Sequence, residues 1–262
     1  MTDEQQQRAA DTLWDLWRQG GSIASLPDDI RPRTRQDGYA IQARIEARSE
    51  APLFGWKIAA TSTAGQTHIA VDGPLAGRLL QERVGSSGDE MPVGRHPQMR
   101  VAEAEFAFRM SASLSPRPVP YSVPEVLEAV ASLHPAIELP DSRFEDVTRV
   151  GAAQLIADNA CASYFVLGPA APESWRRTDL VEHRVTGSVD GQLQREGKGA
   201  HVLGDPRAAL AWLANELSAL GLTLAAGQVV TTGTCLVPLD VEPGHLVTMD
   251  FGPLGQVTAR LR

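Results

Sequence analysis

From Phe54 onward the chain breaks into short apolar runs punctuated by glycine, proline and aspartate, a texture that no all-helical fold accommodates. The runs are FGWKIAAT, VAEAEFAF, AIEL, SYFVL, VTGSV, QVVTT, LVTMDF and QVTARL. Their length and their β-branched and aromatic content make each a strand. Asp190-Gly191, between VTGSV and QLQRE, supplies the positive-φ pair of a tight hairpin. Two helices interrupt the strands. One opens on a capping box, Ser122 with Glu125, and is expected to stop near His134-Pro135. The other takes Asp205 as N-cap and Pro206 in its first turn. It sets Leu210, Leu213, Leu217 and Leu220 on one face and ends at Gly221.

The first 50 residues are helical in pattern. Thr2 and Gln5 form a second capping box, and Ala9, Ala10, Leu13, Trp14 and Trp17 then recur at helical spacing until Gly20-Gly21. A second helix is expected from Thr34 to Arg48, with Tyr39, Ile41 and Ile45 among its apolar positions. The fold class is therefore α+β: a large mixed or antiparallel β core, with an N-terminal helical lobe over residues 1–52 and a β-rich domain over 53–262.

With 262 residues, 43% of them hydrophobic, the chain can bury one large core. No apolar run reaches the roughly 18 residues of a membrane span, and MTDEQQQRAADTLW lacks the basic and apolar regions of a secretory signal, so a cytoplasmic protein without a membrane partner is expected. Net charge is −8 with no basic stripe, which argues against nucleic acid. Cys161 and Cys235, the two cysteines, cannot build a disulfide framework or a thiolate zinc site. Lys57 and Lys198 are the only lysines; the excess of arginine reads as codon bias, but a lysine inside an apolar run stands out.

The segment Arg100–Phe108 carries the chemistry. Read with period two, Ala102, Ala104, Phe106 and Phe108 face one way, and Val101, Glu103, Glu105 and Ala107 the other. Two carboxylates then stand about 7 Å apart on one face, as on a solvated outer strand or in a cation site. Glu138 lies in PAIELP, a proline-bracketed apolar run where an acid is costly unless something charged binds it. That partner is either a hard cation shared with Glu103 and Glu105, suiting Mg²⁺ or Mn²⁺, or a nearby arginine such as Arg143. Lys57, in Phe-Gly-Trp-Lys-Ile-Ala-Ala, reads either as a site lysine or as an edge-strand lysine whose stem packs on Trp56. Histidines at 68, 96, 134, 183, 201 and 245 show no metal-binding spacing. His134 reads as the dipole partner of a helix end, within possible reach of Glu138. Asp158-Asn159 reads first as a local turn or helix-start pair, and second as part of a site.

Taken in order, GWK-I-x-x-TS, VDxP with G-x-L, E-x-E-F-A-F, PAIE-x-x-DSR and ADNA with FVLG resemble the 2-keto-4-pentenoate hydratase family. That group includes the 4-oxalocrotonate decarboxylases and belongs to the fumarylacetoacetate-hydrolase-like superfamily. The resemblance runs from about Phe54 to the C-terminus, through VLGDPRAALAWLANEL and PGHLVTMDFGPLG. It implies a fumarylacetoacetase-like mixed β core, a Mg²⁺ or Mn²⁺ cofactor, a 2-hydroxydienoate or 2-oxo acid substrate from aromatic catabolism, and a homo-oligomer. It places the metal ligands on Glu103, Glu105 and Glu138, the catalytic lysine on Lys57, and substrate contacts on Thr61, Ser62, Leu75, Asp158 and Cys161.

Two positions depart from the family pattern. The aspartate usual after the VDxP proline is Leu75, and a site hydroxyl in the ADNASS segment becomes the thiol of Cys161. The implied chemistry passes through an enolate of the 2-oxo acid. It leads either to hydration, which the family name favours, or to decarboxylation of a 2-oxo-3-hexenedioate-type acid. Leu75 removes an obvious distal acid, which leaves His68, His134 or Glu82 as substitutes. A non-catalytic, metal-binding scaffold is the reading from a different class.

Overall fold

The computed structural model describes residues 1–93 and 99–262. All eight apolar runs are strands, within a chain order of β1 (Gly55–Ala59), β2 (Leu75–Leu79), β3 (Val84–Ser86), β4 (Glu90–Met91), β5 (Val101–Met110), β6 (Val130–Leu139) and β7 (Tyr164–Leu167). There follow β8 (Arg184–Val189), β9 (Gln192–Lys198), β10 (Val229–Thr234), β11 (Leu239–Asp240), β12 (Leu246–Asp250) and β13 (Gln256–Leu261). The helices are α1 (Asp3–Gln19), α2 (Arg35–Glu46), α3 (Thr63–His68), α4 (Val123–Glu128), α5 (Gly151–Ala157) and α6 (Pro206–Ala219). Among the described residues the larger sheet runs β2-β1-β10-β5-β6-β7-β3, with β11 extending beside β5, and the smaller runs β4-β13-β12-β8-β9. The α+β class expected from the sequence is the observed one.

The period-two reading of β5 holds. Ala102, Ala104, Phe106 and Phe108 lie in the main core with Ile137 and Val166 of the same sheet, Phe251 and Val257 of the smaller one, and Leu210, Leu213 and Leu217 of α6. On the opposite face, Leu79, Ala107, Ala136, Phe165 and Val229 form a second apolar cluster. That face continues into Glu105 and Glu103, which precede Ala107 at alternate positions along β5.

Both capping boxes are formed. The helix begun at Ser122 is nevertheless shorter than expected: α4 ends at Glu128, and His134-Pro135 lies inside β6. Proline misleads here because pairing overrides it. The Pro135 carbonyl accepts from Gly168 N–H at 2.9 Å, so its missing N–H faces the side where β7 has just ended. His134 is therefore no helix-end dipole partner.

Helices α1 and α2 pack on the chain's own body. Ala9, Ala10, Leu13, Ile41 and Ile45 share a cluster with Phe144 and Ala157, flanked by Trp14 and Trp17. Arg143 stacks over Trp17 with its guanidinium 4.6 Å from the ring centre.

Candidate metal centre

Glu103 on β5 is paired directly across from Glu138 on β6, and Glu105 follows two residues along. Cross-strand like charges repel, yet carboxylate oxygens of all three lie within 4.8 Å of one another. Lys57 comes to the same point from β1, three strands away in the sheet order. In a flat sheet that separation is roughly 14 Å, but Lys57 Nζ stands 2.8 Å from Glu138 Oε1. The sheet must therefore curl around this face, gathering side chains from β1, β5, β6 and β10 into one concavity.

Several local features make the convergence possible. Gly77, opposite Lys57 in the β1–β2 pairing, leaves a lane for the lysine stem: a Cβ there would stand 3.0 Å from Lys57 Cγ and Cδ and 2.5 Å from Asn159 O. On β10 the register against β5 shifts between Thr231 and Thr234. Gly233, at φ 93°, turns its N–H onto Glu105 Oε2 at 2.7 Å. Thr231 Oγ1 donates to the same oxygen. Glu105 is thus oriented by one oxygen and presents the other.

The electrostatics leave the cluster unbalanced. Three carboxylates face one lysine: Glu105 Oε1 and Glu138 Oε2 are buried without a hydrogen-bond donor, and Glu138 Oε1 meets only the Lys57 ammonium. Burial and the neighbouring Glu138 charge push the Glu103 carboxyl up to about 7, and Glu105 is raised well above the usual range for the same reasons. Burial alone would lower the Lys57 pKa, but Glu138, Glu103 and Glu105 together outweigh it and hold the ammonium charged. Neither of the bland sequence readings survives. Glu138 is paired with Lys57 rather than Arg143. Lys57 is 2% exposed on an interior strand, with Trp56 on the other face beneath Arg78. Orphaned carboxylate oxygens in a buried, convergent, all-oxygen set fit a hard divalent cation.

The remaining predicted positions divide. Thr61 is 5% exposed and packs against Gly233, beside the Glu105 anchor. The Ser62 hydroxyl caps α3 by accepting from Gly65 N–H at 3.0 Å. Leu75 is fully buried on the Lys57 side of β2, paired with Ala59. Asp158 is saturated: Ser142 Oγ donates to it at 2.7 Å, the Arg143 backbone N–H at 3.2 Å, and the Arg143 guanidinium forms a salt bridge with it. Cys161 is partly exposed and close enough to sense Lys57 and Glu138, while burial pushes its thiol up to about 12. Among the suggested distal acids, His68 is exposed at the end of α3 and Glu82 accepts from Ser49 Oγ at 2.8 Å. His134 lies four residues along β6 from Glu138, with both ring nitrogens engaged by Ser132 Oγ and Gly168 O. His96 lies outside the described residues.

Residues 49–262 match the family model described as fumarylacetoacetate (FAA) hydrolase C-terminal. The chain belongs to the fumarylacetoacetate hydrolase family. Within that family it is 32% identical over 261 residues to the 2-keto-4-pentenoate hydratase of Paraburkholderia xenovorans strain LB400, covering 98% of this chain and 95% of that protein. It is 30% identical over 247 residues to the 4-oxalocrotonate decarboxylase of Pseudomonas putida, covering 92% and 91%. Among solved structures it superposes with a TM-score of 0.89, at 28% identity, on the 4-oxalocrotonate decarboxylase from Pseudomonas putida G7 complexed with magnesium and adipate, covering 100% of this chain and 99% of that one.

Three contributors escape the sequence reading, Thr231, Gly233 and Gly77, while Asn159 reads first as part of a local turn or helix start. A Thr-Thr-Gly-Thr stretch closing a buried strand was the available signal for the first two, because a glycine inside a strand marks a bulge or a close approach. The segment Asn159-Ala160-Cys161 runs at φ 55°, 51° and 61°. Such left-handed backbone costs about 1–2 kcal/mol per residue, and no glycine advertises it.

Proposed function

We propose that the protein is a divalent-metal-dependent lyase acting on a 2-hydroxydienoate or its 2-oxo tautomer, with hydration as the first reading. The observation that carries it is the set of donorless carboxylate oxygens on Glu105 and Glu138 beside a charged, buried Lys57. Glu103, Glu105 and Glu138 would hold Mg²⁺ or Mn²⁺. When bound, that ion supplies Lewis-acid polarisation of the substrate's keto oxygen and charge to match its carboxylate.

The protein's own part lies in orientation and proton handling. Thr231 and Gly233 fix Glu105 so that Oε1 faces the concavity. Lys57 Nζ, donating to Ala160 O at 2.9 Å and paired with Glu138 Oε1 at 2.8 Å, keeps its third N–H bond for the oxo-acid end and for proton exchange between enol and keto forms. Phe165, paired with Glu138 on β7, gives the site an apolar wall that strengthens these charge interactions. Thr61, Ser62, Leu75, Asp158 and Cys161 remain the proposed substrate-side residues, with Asp158 acting through the turn it anchors.

Decarboxylation is the second reading, favoured by Leu75. An apolar, fully buried side chain on the Lys57 side supplies no proton to a distal carbon, and loss of CO₂ needs none there. Turnover of 2-hydroxypenta-2,4-dienoate and of 2-oxo-3-hexenedioate, with Mg²⁺ and with chelator, tests both while absorbance and CO₂ are followed together. Activity lost with chelator and in Glu105→Ala supports the site, and CO₂ release selects the branch. Tight metal binding without turnover of either compound would favour a scaffold. A homo-oligomer in the cytoplasm completes the proposal; light scattering at the mass of one chain would overturn the oligomer.

A further inference from the structure

Lys57 is held from above by a carbonyl whose position depends on an unusual piece of backbone. Its Nζ donates to Ala160 O, the middle residue of the three consecutive left-handed positions 159–161. Alanine and cysteine have no intrinsic preference for that region. Something outside the turn must impose it. The only side chain of the three able to make strong hydrogen bonds is Asn159, which is fully buried and grips both backbone groups of one residue on the neighbouring strand. Its Oδ1 accepts from Arg78 N–H at 2.7 Å and its Nδ2 donates to Arg78 O at 2.8 Å. Arg78 is a rigid anchor on β2, stacked over Trp56 at 4.7 Å and bonded to Gln42 and Glu46 of α2. The adjoining Gly77 allows Asn159 O and the Lys57 stem to approach together.

We infer that Asn159 is a positioning residue for Lys57: by clamping both backbone groups of Arg78, its side chain holds the left-handed turn that presents Ala160 O to Lys57 Nζ. The carbonyl takes one N–H bond and directs the others toward the carboxylates and the substrate. This rests on the proposed role of Lys57 for its kinetic consequence, but the geometric claim stands apart from it.

The chain's two lysines make the claim directly observable. Protein labelled with ¹⁵N-lysine gives two side-chain signals: Lys57, buried, and Lys198, on the surface with Glu182. Asn159→Gly tolerates the positive φ yet removes the clamp. Asn159→Asp keeps the acceptor for Arg78 N–H and loses the donor. With Asn159→Gly the Lys57 Nζ signal should shift or broaden by exchange while Lys198 stays in place. With a turned-over substrate, kcat should fall about tenfold to a hundredfold, with KM and Mn²⁺ affinity changing less than about twofold. Asn159→Asp should fall between the two in both readouts. An unchanged Lys57 signal in the folded glycine variant overturns the inference. Losses of kcat that track only a falling melting temperature do so too. If the glycine variant does not fold, the aspartate variant decides by the same Lys57 signal. If the wild type turns over neither compound, the proposed function fails while the labelled-lysine result still decides this one.

Discussion

Two buried ion pairs lie close together in the fold, bridged by the turn from Asp158 to Ala160, and are built on opposite plans. Asp158 is surrounded by donors: Ser142 Oγ, the Arg143 backbone N–H and the Arg143 guanidinium all serve it. Glu138 meets one lysine at Oε1, and its Oε2 has no hydrogen-bond donor, although it is 1% exposed. Burial penalises both charges, and only the first pair answers the penalty at both carboxylate oxygens. A saturated buried acid is part of the frame. An unsaturated one, beside two further glutamates, is what the proposed cation site requires.

The sharpest way to break this comparison is to neutralise one member of each. Glu105→Gln removes a negative ligand atom but keeps the side chain's shape. Turnover should fall at least a hundredfold, about the upper end of what loss of a mere outer-shell partner costs. The metal-free protein should melt no lower than wild type, because a repelling charge has gone. Arg143→Met should do the reverse. It strands a buried carboxylate, costing about 3–5 kcal/mol, while Mg²⁺ affinity of the protein that remains folded stays close to wild type. Calorimetry for metal binding and thermal melts for stability read both. If Arg143→Met cost metal affinity without stability, the division between frame and site would be wrong.

A smaller effect follows from pH. Because the Glu103 carboxyl is pushed up to about 7 by burial and by Glu138, the folded state binds its proton more tightly than the unfolded chain does. The metal-free fold therefore carries a penalty at pH 8 that is relieved as pH falls through 7. Its melting temperature should rise by about 2–4 °C between pH 8 and 6.5, on the scale of 1 kcal/mol in a chain of this size. Below pH 6.5 His134, held low chiefly by burial, opposes that gain, because the unfolded chain then takes up a proton that the buried imidazole resists. Bound metal needs the carboxylates ionised, so the gain in melting temperature from added Mg²⁺ should widen with rising pH. Glu103→Gln should flatten part of the metal-free slope, and Glu103→Gln combined with Glu105→Gln most of it. A slope surviving in the double variant would place the titrating group outside the cluster.

The same two ion pairs show what was legible in the sequence. Alternation along Val101–Phe108 put Glu103 and Glu105 on one face and the core residues on the other, because strand period is a local property. The burial of Glu138 followed from its proline-bracketed apolar run. Its partner did not: Arg143 is five residues away in sequence and Lys57 is three strands away in the sheet. Choosing between them requires the curl of the sheet, which no residue window encodes. Thr231 and Gly233 were hidden likewise, since the shift that aims them at Glu105 exists only in the pairing of β10 with β5. His134-Pro135 failed in the other direction, where a strong local stop signal lost to pairing with β5 on one side and a hydrogen bond from Gly168 N–H on the other.

The smallest test concerns the thiol that borders both pairs. Cys161 ends the left-handed turn next to the anchored Asp158, and its charge environment includes Lys57, Arg143 and Glu138. With its thiol pushed up to about 12, it stays protonated throughout the working range, so it is a weak neutral donor rather than a nucleophile. Iodoacetamide at pH 8 should therefore leave it largely unmodified, despite its partial exposure. Cys161→Ser substitutes a stronger donor of similar shape at a position that bears no framework hydrogen bond through Sγ among those of the described residues. One improved neutral hydrogen bond is worth about 0.5–1.5 kcal/mol, which corresponds to a KM lowered about twofold to tenfold. Stability and metal affinity should not move, since neither Asp158 nor the glutamates lose a partner. A drop in melting temperature instead would assign Cys161 to the frame, and an unchanged KM would take it out of the substrate's reach.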